Sequence, residues 1–105
     1  MSQFDVFRNP DPGSQARIPF VVVLQSDLLD AVDNHVVAPL RAKHESHIVP
    51  VLRLNPRVMI DDEEYLVRVQ DLATVPRRML KEKVATLAPQ REEILAALDF
   101  LFTGF

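Results

Sequence analysis

A small antiparallel barrel with one closing helix, of the α+β class, is the fold that this sequence predicts. Apolar and β-branched runs, separated by short breaks rich in Pro, Asp and Asn, fill the first two thirds of the chain, which indicates antiparallel strands. From Pro89 onward the apolar residues recur instead at helical spacing. With 105 residues there is room for one hydrophobic core, so we expect a single domain over residues 1–105.

The first strands are predicted on either side of a loop. Residues 3–8, QFDVFR, alternate in the manner of a half-buried strand, and NPDPGSQ at 9–15 follows as a turn or loop. The run IPFVVVLQ at 18–25 is apolar and β-branched, which is typical of a central strand buried on both faces. In VVAPLR at 36–41, Pro39 favours an edge strand or a bulge, because proline donates no ladder hydrogen bond.

Three β-rich pieces then follow in quick succession. The breaks between them, NP and DDE, are short enough for antiparallel hairpins. The next segment, RRMLKEKVATL at 77–87, fits either a short strand or a helical turn. The three pieces are IVPVLRL at 48–54, RVMI at 57–60 and EYLVRV at 64–69.

The last segment is predicted to be an amphipathic helix. Pro89 suits a first helical position, and acidic residues follow it at the positive end of the helix dipole. The apolar stripe runs to the last residue and is wider than a small sheet needs, so we expect a homodimer that forms through the end of the helix. The stripe comprises Ile94, Leu95, Leu98, Leu101, Phe102 and Phe105, and the opposite face comprises Glu92, Ala96, Asp99 and Thr103.

Composition excludes several classes of function. Twelve basic and fifteen acidic side chains leave a net charge of −3, which argues against sequence-independent nucleic-acid binding. The absence of cysteine excludes disulfide scaffolds, thiolate zinc sites and thiol nucleophiles. No apolar run is long enough to span a bilayer, and the first residues do not resemble a signal peptide. We therefore expect a cytoplasmic protein that does not contact a membrane.

No group of residues has the spacing of a catalytic or metal site. HESH at 44–47, with His35 nearby, departs from the helical H-E-x-x-H pattern, and DDEE at 61–64 fits the charged tip of a hairpin. Ser26 and Asp27 lack a histidine placed to serve as a base, and we expect them to cap the next turn. We therefore predict a protein that is not an enzyme and needs no cofactor, metal or small-molecule substrate.

The only basic cluster lies between the last strands and the helix. A contact with an acidic partner or with nucleic acid is one interpretation of it. A solvated edge that resists aggregation is the favoured one. Its members are Arg77, Arg78, Lys81 and Lys83.

Several stretches together resemble the CcdB family of toxins that inhibit DNA gyrase. They are QFDVF at the start, VVLQSDLLD at 22–30, VVAPL, DLATVPRRML, and the final helix that ends on Phe-x-Gly-aromatic. The resemblance covers nearly the whole chain, and it implies an SH3-like barrel with a C-terminal helix that forms a two-fold dimer. It also implies two partners: the gyrase A subunit as the target, and a cognate antitoxin that neutralises the toxin.

The resemblance also implies which residues contact the target. They belong to the chain end and to the loop after the second strand, and they are Thr103, Gly104, Phe105, Ser26, Leu28 and Leu29, with Gln3, Phe4 and Asp99 nearby. Two positions depart from the family pattern. The family's tryptophan two residues before the end is Thr103 here, and Asp99 stands where a neutral amide is expected. A threonine cannot stack on a target arginine as tryptophan does.

Two alternatives remain open at this point. A diverged relative would keep antitoxin binding and lose gyrase poisoning. A ribonuclease of the MazF type would share the barrel, but it needs a general base, an acid and cations over the scissile phosphate. The scattered arginines of a net acidic chain do not supply that set, so the ribonuclease is the weaker alternative.

Overall fold

The computed structural model describes residues 1–43, 51 and 53–104, and this part of the chain forms seven strands and one α-helix. The strands are β1 (Asp5–Arg8), β2 (Phe20–Val23), β3 (Asn34–Ala42), β4 (Arg57–Ile60), β5 (Glu63–Val67), β6 (Ala73–Pro76) and β7 (Lys83–Thr86), and the helix is α1 (Arg91–Thr103). Short 3-10 turns lie at Asp27–Leu29, Val69–Asp71, Arg77–Met79 and Ala88–Gln90.

All strand pairs are antiparallel, and β3 organises the sheet. The strand order is β4-β5-β3-β2-β1-β7, and β6 pairs with β3 beside this path. The first half of β3 pairs with β6 and its second half with β5. Along its other side, β3 pairs with β2. The result is a curled, barrel-like sheet that ends in one helix, so the predicted α+β barrel is confirmed.

The helix closes the main core with a narrow apolar face. Ile94 and Ala97 are fully buried against the inner face of the sheet, and Leu98 and Leu101 pack at the margin of this core. The face predicted to be polar is exposed. Phe102, predicted to widen the stripe, is 70% exposed, so it lies outside the buried face of the helix.

A second, smaller cluster covers the other face of the sheet. Phe7, Val21, Val23 and Val37 pack there with Leu80. This cluster explains why β2 is apolar on both faces, as predicted. The prediction that β1 is only half buried was wrong, because Asp5, Val6 and Phe7 are all buried, with Val6 in the main core and Phe7 in the second cluster.

The prediction that Pro39 marks an edge strand or a bulge was also wrong. Pro39 is buried within the long central strand β3, where it pairs with Val21 of β2. Its carbonyl accepts a hydrogen bond from the Arg68 N–H at 3.0 Å. Because N and C=O of one strand residue point to the same side, the missing N–H lies at the break between β5 and β6.

The hairpin between β4 and β5 uses a tight two-residue turn. Asp61 and Asp62 both have positive φ, at 51° and 67°, and Ile60 pairs with Glu63. Positive φ at both central residues is the type I′ geometry that matches strand twist. The predicted hairpin is therefore confirmed with its charged tip.

Some predictions fall on residues outside the described part of the chain. These are the HESH segment at 44–47, most of the predicted strand at 48–54, and Phe105. The described end of that strand, Arg53 and Leu54, forms a turn instead. None of the helices in the described ranges has the length and apolar character that crossing a membrane requires.

Candidate functional site

The 26–32 loop after β2 carries the most exposed large apolar side chain in the described part of the chain. Leu28 is 94% exposed, and Leu29 and Val32 are each about half exposed. Apolar side chains that stay in water lower the solubility of a protein, and groups of exposed apolar residues are typical of binding surfaces. The sequence left open whether the two leucines lie in the core, and the structure places both at the surface.

The backbone of this loop is held by its own hydrogen bonds. Ser26 is the N-cap of the 3-10 turn, and its Oγ accepts from the Leu28 N–H at 3.2 Å. The Leu29 N–H donates to the Ser26 carbonyl at 2.9 Å, and the Val32 N–H donates to the Leu29 carbonyl at 3.0 Å. The predicted capping role of Ser26 is thus confirmed.

Gln3 ties the loop to the N-terminal end of α1. Its backbone N–H donates to the Asp27 carboxylate, and its Nε2 donates to the Leu24 carbonyl at 2.9 Å. Its Oε1 accepts from Arg91 Nη1 at 3.3 Å. Phe4 lies beneath: it is only 2% exposed, and the Arg91 guanidinium lies 5.8 Å from its ring centroid. Gln3 is therefore a surface residue of this site, whereas Phe4 supports it from the core.

Asp27 and Arg91 belong to this arrangement, although the sequence did not predict them as site residues. Asp27 was predicted only to cap a turn, yet it also binds a residue 24 positions earlier. Arg91 lies 88 positions from its partner Gln3. Contacts between residues so far apart in the sequence cannot be predicted from local spacing, because only folding brings these residues together.

The C-terminal end of α1 carries the other predicted residues. The Thr103 hydroxyl donates to the Asp99 carbonyl at 2.6 Å, so it is occupied within its own helix. Gly104 has φ 79° and ψ 17°, and its N–H donates to the Phe100 carbonyl at 2.9 Å. This left-handed position after the last helical residue favours glycine, and it turns the chain out of the helix.

The predicted residues therefore form two groups at the two ends of one helix. Gln3, Phe4 and the 26–32 loop meet at Arg91. Thr103 follows twelve residues later, which places the helix end about 18 Å away at the α-helical rise. Exposed apolar surface is present at both ends, at Leu28 and at Phe102.

Two residues of the basic cluster have structural partners. Arg77 contacts the Asp30 carboxylate at 3.3 Å and thereby supports the end of the 26–32 loop. Lys83 contacts Asp5 at 3.3 Å, and this carboxylate, being 3% exposed, needs a counter-charge. These ion pairs give Arg77 and Lys83 a structural role within the fold. Among the described residues, His, Asp and Glu side chains nowhere gather in threes as a metal ion would need.

The chain was also compared with known protein families. A family model described as CcdB protein matches residues 3–104 of the 105-residue chain. The match includes both ends of the candidate site, from Gln3 to Gly104.

Proposed function

The chain belongs to the CcdB family, and on that premise we propose that it is the toxin of a type II toxin–antitoxin pair. Proteins of this family are gyrase-inhibiting toxins. In this proposal the chain binds the A subunit of DNA gyrase in the cytoplasm, acts by binding and not by catalysis, and is neutralised by a cognate antitoxin. It works as a homodimer, which sedimentation at micromolar concentration tests; a monomer there would contradict this part of the proposal.

The observation that carries the proposal is the exposure of Leu28 on an anchored loop. Binding energy at protein interfaces is concentrated in a few apolar and aromatic anchors. A loop that is already ordered loses less conformational entropy on binding than a flexible one does. Ser26, Asp27 and Gln3 supply that order, so Leu28 and Leu29 are presented to a partner at a low entropic cost.

The helix end supplies the second contact in this proposal. Gly104 directs the chain away from α1, and Phe102 and Thr103 lie exposed beside it. A threonine here offers no ring, and its hydroxyl is already bonded to Asp99. This observation favours weak gyrase binding and keeps a second candidate function, a diverged relative that binds its antitoxin without poisoning gyrase.

Replacing Leu28 with serine tests the proposal. We expect binding to a purified gyrase A fragment, measured by calorimetry, to weaken by about tenfold or more, as truncation of an interface anchor does. The melting temperature should stay nearly unchanged, because the side chain is 94% exposed. Met59→Ser is the matched control, since Met59 is 59% exposed on β4.

Two outcomes would contradict the proposal. If Leu28→Ser binds as tightly as the parent chain, the loop is not the contact. If Met59→Ser weakens binding equally, the effect does not belong to this surface. Absence of binding by the parent chain, together with retained binding of an antitoxin, would support the second candidate.

A further inference from the structure

A cavity with an apolar floor lies on the face of the sheet that carries the second cluster, away from the main core. Its volume is about 290 Å³, and we call it the outer cavity. The strand registers bring its floor together, because Val21 pairs with Pro39 and Val37 pairs with Ala73. Val75 lies two residues further along β6, so its side chain is on the same face as that of Ala73. Most of the surface that lines this cavity is therefore apolar.

Pro39 keeps the floor suitable for an apolar ligand. The cavity lies where β3 leaves its partner β6 and meets β5, and any other residue would place a backbone N–H at this break. Proline has no N–H, and the Pro39 carbonyl accepts from the Arg68 N–H at 3.0 Å. Because a buried donor without an acceptor disfavours contact with hydrocarbon, proline at this position favours binding of an apolar group.

One wall of the cavity is the 9–18 loop, which Asn9 holds in place. Asn9 is 6% exposed, and its Nδ2 donates to Ser14 Oγ at 2.9 Å and to the Ile18 carbonyl at 2.8 Å. Its Oδ1 accepts from the Asp11 N–H at 3.0 Å, and its carbonyl accepts from Gln15 Nε2 at 2.6 Å. The wall is thus ordered before any ligand arrives, which lowers the entropic cost of binding.

The charges at the rim favour a cationic ligand. Asp11 lies on the loop wall and Asp71 on the facing wall, and both side chains are exposed. The Asp71 carboxylate contacts Arg68 Nε at 2.9 Å, which restrains its position. Among the described residues that line the cavity, Arg41 is the only cation, so two carboxylates and one guanidinium leave the lining with a formal charge of −1.

We propose that the outer cavity binds a small amine that carries a single aromatic ring. The ring packs on Val21, Val37 and Val75, and the ammonium group lies at the rim near Asp11 and Asp71. An apolar cavity of about 150 Å³ accepts benzene, so this cavity has room for one ring and a short chain. It shares no lining residue with the 26–32 loop, so the inference does not depend on the proposed gyrase contact.

The probe is phenethylamine, which is a cation at pH 7, titrated into the ¹⁵N-labelled full chain while amide chemical shifts are measured by NMR. The matched compounds are 2-phenylethanol, which is neutral, and phenylacetate, which is an anion. We expect the amides of Val21, Ala73 and Val75 to shift, and the amine to bind about 3- to 5-fold more tightly than the alcohol, as an exposed ion pair allows. Phenylacetate should bind least. Asp71→Asn should remove most of the difference between amine and alcohol, whereas Asp62→Asn, at the exposed β4–β5 turn, should preserve it.

A second pair of variants tests the location. Ala73→Leu extends a larger side chain into the cavity and should weaken amine binding by about tenfold or more. Ala73 is exposed, so the melting temperature should stay close to that of the parent chain. Thr74→Leu is the matched control, because Thr74 is the next residue of β6, is also exposed and points to the opposite face of the strand.

Several results would overturn the proposal. Equal affinity for the amine and the alcohol would show that the carboxylates have no role, and equal weakening by Asp62→Asn would indicate general charge attraction. Retained binding by Ala73→Leu would place the amine elsewhere on the chain. Amide shifts that follow the protein concentration, and not the added amine, would show that a second copy of the chain covers the cavity. Absence of any shift in a folded chain at saturating amine would exclude the site.

Discussion

Replacing Thr103 with tryptophan introduces the aromatic ring that the family resemblance predicts at this position. The substitution should cost little stability, because Thr103 is exposed and the two residues have similar helix propensities. The substitution removes one hydrogen bond, from the Thr103 hydroxyl to the Asp99 carbonyl. This bond is exposed to solvent, so water can replace it. We expect the free energy of unfolding to change by no more than about 0.5 kcal/mol.

If the chain binds gyrase as proposed, binding should strengthen, because the ring can stack on the target arginine that the family resemblance implies. A cation–π contact at a partly desolvated interface contributes about 1 to 2 kcal/mol, or roughly 5- to 30-fold in affinity. Calorimetry against the gyrase A fragment measures the gain, and urea unfolding measures the stability. Thr74→Trp is the matched control, since Thr74 is exposed on β6. An unchanged affinity for Thr103→Trp, or an equal gain for Thr74→Trp, would refute the reasoning that the helix end contacts gyrase.

Two further predictions concern stability. Asn55→Ala removes three hydrogen bonds from a residue that is 7% exposed. Urea unfolding should show that the free energy of unfolding falls by about 2 to 3 kcal/mol. A fall of less than about 0.5 kcal/mol would show that the turn at Arg53 and Leu54 keeps its conformation without these bonds. Burial, with smaller contributions from Glu63 and Asp61, raises the pKa of Tyr65 above its ordinary 10.0. The unfolded chain therefore loses this proton at a lower pH than the folded chain does. The contribution of Tyr65 to the free energy of unfolding is fully present below pH 10 and falls as the pH rises above that value. Tyr65→Phe should reduce that alkaline loss in melting curves, and identical pH profiles for the two chains would contradict the assignment.

Strong, continuous patterns in the sequence predicted most of the fold. The unbroken run at Phe20–Val23 is typical of a strand covered on both faces, and the recurrence of Ile94, Leu98 and Leu101 at steps of four and three is typical of a helix with one buried side. Pro39 misled because proline is usually confined to edges, and a break between two partner strands is visible only once the sheet is assembled. Residues 77–87 were ambiguous for a physical reason, since they form a 3-10 turn and then the short strand β7.

The candidate site was less predictable than the fold. Leu28 has the same local pattern whether it is buried or exposed, so only the packed structure assigns it to the surface. The positive φ of Arg53 had no signal in the sequence, because neither glycine nor asparagine stands there. The side chain of Asn55 bonds to Val51, Val67 and Gln70 and so holds the turn in which Arg53 lies.

The arrangement at Gln3 bears on why an exposed leucine persists in this chain. An apolar side chain in water costs free energy whether its loop is ordered or not, and ordering the loop adds a further entropic cost. Here the loop is ordered by a side-chain cap at Ser26 and by contacts from Gln3, which Arg91 in turn holds. If a partner covers Leu28, as proposed above, contacts that order the loop lower the entropic cost of binding. Gln3→Ala should therefore weaken partner binding through the loop although Gln3 need not touch the partner, and a loop that kept full affinity without Gln3 would show that its order has no role in recognition.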